Sequence, residues 1–232
     1  MITLGIIGVV AALTLPTLIS NYQKRVYVTQ LKKSVSVLSQ GFTTMMGQDG
    51  VTELKDTDAF SGMARSSCTQ STILTDKCLS MKDGLERVFS NIKFTPCDGS
   101  QVKYLNGNNA SSKSANSTCI EFPDGSEIYN YTSYKTRRGN IAHPTGGYVS
   151  TMYVDVNGPK NPNTIGRDIF YLYMGNNGTI YAVGSQAYSE MAASDSNREY
   201  WRTTTINSLK CDTSSMGLAC AGRVLEEDAM NY

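Results

Sequence analysis

The first 46 residues constrain this chain more than anything that follows, because two apolar patterns are joined there end to end. From Ile2 to Ile19 the sequence reads ITLGIIGVVAALTLPTLI, without a charge and interrupted only by Thr, Gly and Pro. That is close to the roughly 20 apolar residues a helix needs to cross a bilayer. From Val28 the pattern changes. Val28, Leu31, Val35, Leu38, Phe42 and Met45 recur every three or four residues, which puts them on one stripe of a helix. Lys32, Lys33, Ser34, Ser36 and Gln40 fall on the other faces. One helix that is apolar all round at one end and one-sided at the other belongs to two environments. Residues 1–20 would sit among lipid or like helices, residues 21–46 would lean on a folded domain, and residues 47–232 would form that domain. At ~1.5 Å per residue the helix would be on the order of 70 Å long.

Small residues mark the first half. Gly5, Gly8, Ala11 and Ala12 lie three or four apart, a spacing that lets helices approach closely in lipid. Pro16 removes a backbone hydrogen bond and predicts a kink or a local melting of the helix. On these grounds alone, a plain membrane anchor and a helix built for self-association are equally open.

The segment Thr3–Gln23, TLGIIGVVAALTLPTLISNYQ, resembles the N-terminal helix of type IV pilins and type II secretion pseudopilins. Those helices carry a small-residue-rich apolar segment, a proline, and an amphipathic half, and Pro16 stands where the family has its kinking proline. The resemblance covers about the first fifth of the chain. The family begins with a basic leader, a glycine cleaved by prepilin peptidase, a phenylalanine, and a glutamate one turn later. Met1 comes after the place of all of these, which implies a truncated chain or a misplaced start. The resemblance implies an α+β, pilin-like fold, with the long helix packed on an antiparallel β-sheet and disulfide-stapled loops. It implies a filament subunit, major or minor, held in the bacterial inner membrane before assembly, its head domain extracytoplasmic, and then built into a cell-surface or periplasmic filament. Its partners would be other subunits through the N-terminal helix, membrane lipid, an assembly platform and prepilin peptidase.

Six cysteines, Cys68, Cys78, Cys97, Cys119, Cys211 and Cys220, include no CxxC pair, and the chain has a single histidine. A Cys/His zinc site is therefore a poor fit, and disulfides in an oxidising compartment are the better reading against buried free thiols. Pairing between sequence neighbours, 68–78, 97–119 and 211–220, would close three short loops. The polar loop between Cys211 and Cys220 is similar to the disulfide-closed C-terminal region of type IV pilins. The positive-inside rule opposes this orientation, since Lys24, Arg25, Lys32 and Lys33 follow the apolar run and nothing basic precedes it. A basic leader upstream would reconcile the two.

Beyond residue 46 the chain reads as follows. Gly47-Gln48-Asp49-Gly50 would end the helix. Residues 76–89 form a short helix interrupted at Gly84, and Thr95–Gly99 is turn chemistry. Asn106–Thr118 (NGNNASSKSANST) has almost no apolar side chain and reads as a mobile loop. Cys119–Phe122 and Ser126–Tyr129 form a hairpin about Pro123-Asp124-Gly125. Tyr148–Val156, Asp168–Met174 and Thr179–Val183 are further strands of an antiparallel meander facing the Val28–Met45 stripe. A helix could start at the capping residue Ser194 and carry Trp201 as an anchor. Ala221–Leu225 reads as a last strand.

Chemistry is sparse. Asp155-Val156-Asn157-Gly158 packs oxygen ligands into a turn as calcium loops do, without the further acidic positions of an EF-hand. It is similar to the D-x-N-G…G-R-D loop of pilin-like proteins, and some pseudopilins bind calcium in a C-terminal loop. That resemblance makes Asp155, Asn157 and Asp168 the candidate Ca2+ ligands; no cofactor is otherwise required. The plainer alternative has Asp155 and Asn157 capping a turn and Asp168 pairing with Arg167 or Lys160. His143 lies in a loop with no GxSxG, P-loop, GxGxxG or HExxH beside it, and Glu226-Glu227 and Glu121/Asp124 lie in polar surroundings, so no enzyme is expected. A net charge of +1, with Lys135, Arg137 and Arg138 the one basic cluster of the head, predicts no nucleic-acid partner. The alternative to a filament subunit is a membrane-tethered, calcium-dependent adhesin or binding domain that does not polymerise.

Overall fold

The computed structural model describes residues 2–61, 76–135, 148–193 and 210–232, with the side chains of the first helix from Ala12 onward. Helix α1 spans Ile2–Asp49, 48 residues without a break. The apolar stripe does what its period requires: Val28, Leu31, Leu38, Phe42 and Met45 are buried in the main core, and Val35 packs against it. The helix runs past Gly47 and stops at Gly50, whose φ of 67° is open to a glycine at little cost. Val51 N–H reaches the Met46 carbonyl at 3.0 Å and Gly50 N–H the Gly47 carbonyl at 3.4 Å, so two of the helix's last carbonyls are satisfied.

The sheet is a six-stranded antiparallel meander in which each strand pairs with the next in sequence. Its strands are β1 Lys93–Pro96, β2 Thr118–Glu121, β3 Glu127–Lys135, β4 Tyr148–Asp155, β5 Ile169–Gly175 and β6 Ile180–Ala182. Period-two alternation divides the side chains. Ile120, Ile128, Met152, Val154, Phe170, Leu172, Met174, Ile180 and Ala182 face α1 and complete the main core. Burying each such aliphatic side chain is worth about 1.5–3 kcal/mol. The other face carries a stack of tyrosines from adjacent strands: Tyr129–Tyr153 at 5.3 Å and Tyr153–Tyr171 at 4.7 Å between ring centroids. That face is covered by the segment between β1 and β2, where Val102 packs with Tyr129, Ile165 and Ile169.

Among the described residues three further α-helices pack on this core: α2 Asp76–Val88, α3 Gln186–Ala193 and α4 Cys220–Glu227. The fold is thus α+β, a long N-terminal helix on an antiparallel sheet, stapled by disulfides Cys97–Cys119 and Cys211–Cys220. Cys78 is also disulfide-bonded, and Cys68 lies outside the described residues, as do His143, Arg137, Arg138, Trp201 and the expected helix from Ser194.

Several expectations are corrected. Gly84 does not interrupt α2; a side chain there would meet the Ala59 methyl at 2.4 Å, so the glycine serves the close approach of the helix to Ala59. Thr95 and Pro96 belong to edge strand β1, where a proline is tolerated. Residues 221–225 are helical, not extended. Cys220, Ala221 and Val224 are buried while Arg223 and Glu227 pair across one turn at 2.7 Å, a helical period in a segment too short to display it in sequence. Helix α3 has a legible start: the Ser185 hydroxyl accepts from Tyr188 N–H at 3.0 Å, the usual N-cap bond.

Candidate functional site

Two places in this fold are unlike the rest of a folded domain. The first is the projecting half of α1. Every residue from Ala12 to Gln23 is exposed. Among them Leu13 is 73%, Leu15 51%, Leu18 66%, Ile19 53% and Tyr22 68% accessible. Leu15, Leu18, Ile19 and Tyr22 follow the i, i+3, i+4, i+7 spacing of one helix face, so they form a continuous apolar strip with none of the described residues packed against it. Contiguous exposed apolar surface of this kind marks a contact with lipid or another protein. Of the residues expected to serve that contact, Ala12 is exposed on the projecting part and Gly5 and Gly8 lie in the same helix; the helix is unbroken at Pro16. Among the described residues no helix is long and apolar enough to cross a membrane. The greater part of the Ile2–Ile19 run precedes Ala12, where the described side chains begin.

The base of the projection is gripped by the end of the chain. Lys24 donates from Nζ to the backbone oxygens of Met230 and Tyr232, both at 3.1 Å. Lys32 pairs with Asp228 at 2.6 Å and Lys33 with Asp124 at 2.8 Å. The Tyr232 hydroxyl in turn donates to the Gly166 carbonyl at 2.5 Å.

The second place is the loop between β4 and β5, where the expected ion ligands lie, together with a residue that sequence reasoning missed. Asp155 and Asp168 are fully buried. Asp155 Oδ1 accepts from Asn157 N–H at 3.2 Å, as the turn-capping reading requires. Its Oδ2 accepts from Lys113 Nζ at 2.6 Å. Asp168 takes the backbone N–H groups of Asn163 at 2.8 Å and Thr164 at 2.7 Å, rather than Arg167 or Lys160. The Asn157 side chain donates weakly to the Tyr27 hydroxyl at 3.4 Å and the Asn161 carbonyl at 3.3 Å, tying this loop to α1. Each carboxylate oxygen of the two aspartates thus already accepts a hydrogen bond, and a fixed ammonium stands against Asp155. A calcium ion takes six to eight oxygen ligands; of the three expected ones, the aspartate oxygens are turned to protein donors, while Asn157 Oδ1 is buried and accepts no hydrogen bond among the described residues. Among the described residues no cluster of three or more His, Cys, Asp or Glu side chains could hold a metal.

Lys113 comes from the polar run 106–118, read above as a mobile loop, yet its side chain is completely buried. It also pairs with Glu127, itself buried. Backbone bonds hold it there: Lys113 N–H to Ser100 O at 3.0 Å, Ala110 N–H to Val102 O at 2.8 Å and Cys97 N–H to Ser117 O at 3.0 Å. The Cys97–Cys119 disulfide closes the same excursion. The ammonium lies 5.3 Å from the Tyr129 ring centre, where a cation is favoured. Glu127 and Asp155 are cross-strand partners in the β3–β4 register. Two carboxylates directly opposed on one face repel, and Lys113 is the cation that offsets them. The signal that could have found it was that pairing of like charges, which calls for a nearby base. Burial pushes the Asp155 carboxyl up to about 7 despite Lys113. Burial pulls the Lys113 ammonium down, but Asp155 and Glu127 outweigh it and leave its pKa raised.

No known protein family, curated protein or solved structure matches this chain.

Proposed function

We propose that this chain is a structural subunit of a pilin-like filament, of the type IV pilus or type II secretion kind. The observation that carries the reading is the division of α1. From Val28 onward the helix is the spine of the head domain, while Ala12–Gln23 projects from it with an apolar strip bare. A helix so divided serves first as an inner-membrane anchor and then, once subunits assemble, as the packing element between them. Lipid contacts are then exchanged for helix–helix contacts, for which the small residues Gly5, Gly8 and Ala12 suit close approach. The head would be displayed outward, with prepilin peptidase and an assembly platform acting on the anchored form. The sequence resemblance in Thr3–Gln23 agrees with this reading and supplies its name.

The test is Leu18→Asp combined with Ile19→Asp in the full chain, expressed in a bacterium with an assembly machinery of this kind. Charges are costly in an apolar membrane helix, at most about 2.5–3.5 kcal/mol each at its centre and less toward its end, and here they also interrupt the bare strip. Both substitutions lie on exposed positions, so the head should fold as before. Loss of the chain from the membrane fraction and from sheared surface filaments is expected. Unchanged fractionation and assembly would overturn the proposal.

A further inference from the structure

We propose that Lys113 and Asp155 are the two halves of a self-forming amide cross-link, with Glu127 as the residue that carries the protons. The inference rests on the buried cluster alone and does not depend on the filament reading. Three requirements must coincide for a lysine to condense with a carboxyl group without an enzyme. The amine and the carboxyl must be held in contact, water must be excluded, and a second acid–base group must touch the amine. Lys113 Nζ lies 2.6 Å from Asp155 Oδ2, and both side chains have no exposed surface. Glu127 also contacts Nζ, and is almost as buried. Held reactants of this kind gain a large effective concentration, worth about 7–11 kcal/mol of a barrier when the geometry is right.

The chemistry balances within the cluster. Lys113 begins as the ammonium and Asp155 as the carboxylate. A first proton passes from Nζ to Asp155 Oδ2, giving a neutral amine and a carboxylic acid. The Nζ lone pair then attacks Asp155 Cγ, and the negative charge collects on Oδ1, which is held by the Asn157 N–H. Such a donor stabilises the developing oxyanion. Glu127 accepts a second proton from Nζ and passes it to the departing Oδ2 hydroxyl. The Nζ–Cγ bond has formed, the Cγ–Oδ2 bond has broken, one water has left, and Glu127 is as it began. No oxidant or cofactor enters. Asp155 rather than Glu127 is the electrophile because, among the described residues, it combines the lysine contact with a backbone donor on its other oxygen.

The register explains why the site would exist. The bond would join the excursion between β1 and β2 to the end of β4, across a strand pair whose facing carboxylates otherwise repel. The Cys97–Cys119 disulfide would already hold the base of that excursion.

The experiment is the intact mass of the full chain, exported to an oxidising compartment, purified, and reduced before measurement. A mass lower than the sequence mass by one water is expected, with a tryptic fragment in which the peptides around Lys113 and Asp155 are joined and cleavage after Lys113 is blocked. Glu127→Gln, which keeps the size of the side chain, should restore the full mass while retaining the wild-type circular dichroism. Lys113→Met should do the same. The full sequence mass in the wild-type chain would overturn the proposal and leave an ion pair only. Loss of water without a joined peptide would mark a cyclic imide and overturn it as well. A peptide joined through Glu127 would overturn the choice of Asp155, and an unchanged yield of cross-link in Glu127→Gln would overturn the role of Glu127.

Discussion

Glu127 and Asp155 show how a single residue can decide whether a sheet face is viable. They are paired in register and buried, an arrangement that costs stability unless a cation comes between them. Lys113 does so from far away in the chain, and for that reason nothing in its own neighbourhood, Ser111-Ser112-Lys113-Ser114, announced a buried position. A run poor in apolar side chains is read as solvated, and here most of it is; Lys113 and, at the run's end, Thr118 are not. Gly41 is a second residue whose role is invisible in sequence. It lies on α1 where a methyl group would come within 2.1 Å of the Phe89 ring. That ring is packed edge-on by Phe42 at 5.8 Å and Phe122 at 5.6 Å, and so has little room to swing away. Gly41→Ala should therefore destabilise the chain by about 1–3 kcal/mol in urea unfolding, although alanine is the better helix former by about 1 kcal/mol. A gain in stability would show that the ring yields.

Among the elements, α1 was the most legible, because its apolar residues keep one period for many turns and Val28, Leu31, Leu38, Phe42 and Met45 all fall on the buried side. The hairpin and the strands around Met152 and Leu172 were legible through β-branched and aromatic content. Short elements were not. In α4, two turns give the period too little length to separate from a strand, and α3 was missed although Ser185 caps it. What joins elements is harder still to read, as Lys33 illustrates. It ties α1 to the β2–β3 turn through Asp124, with both side chains partly exposed. Burial raises the Asp124 pKa, but bonds from Lys33 and Ser126 outweigh it and hold the carboxyl below its usual value. A carboxyl depressed in the folded state stabilises above its unfolded pKa of 3.8, and that contribution is lost as pH falls through the folded value. Lys33→Ala should thus cost less than ~1 kcal/mol at neutral pH and low salt. The difference from wild type should shrink as melting is followed well below pH 3.8. A difference that persists in acid would point to lost packing instead.

For the whole molecule, the sheet order and the two disulfides Cys97–Cys119 and Cys211–Cys220 agree with the reading of neighbouring strands and neighbouring cysteines. The candidate ion site did not carry over so simply. Its residues do come together: the aspartate oxygens accept from backbone amides and from a lysine that no local pattern could place there, while Asn157 Oδ1 is unpartnered among the described residues. The Cys211–Cys220 bond joins residues nine apart, and Cys220 opens α4. The double variant Cys211→Ser, Cys220→Ser should lose about 2–3 kcal/mol, seen as a lower melting temperature and new protease cuts between residues 210 and 220. An unchanged melting temperature would show that packing of Ala221 and Val224 holds α4 without the staple.

The grip of Lys24 on Met230 and Tyr232 has a mechanical meaning. A tug along the protruding helix would not end at its own backbone. It would divide at the neck, one share passing through Phe42 and Met45 into the sheet and another through Lys24 into the chain's last residues. From there Tyr232 hands it to Gly166 in the loop beside Asp168. Stalk and head are therefore coupled at several separate points rather than strung on one strand of chain, and under tension they should turn and move as one rigid lever.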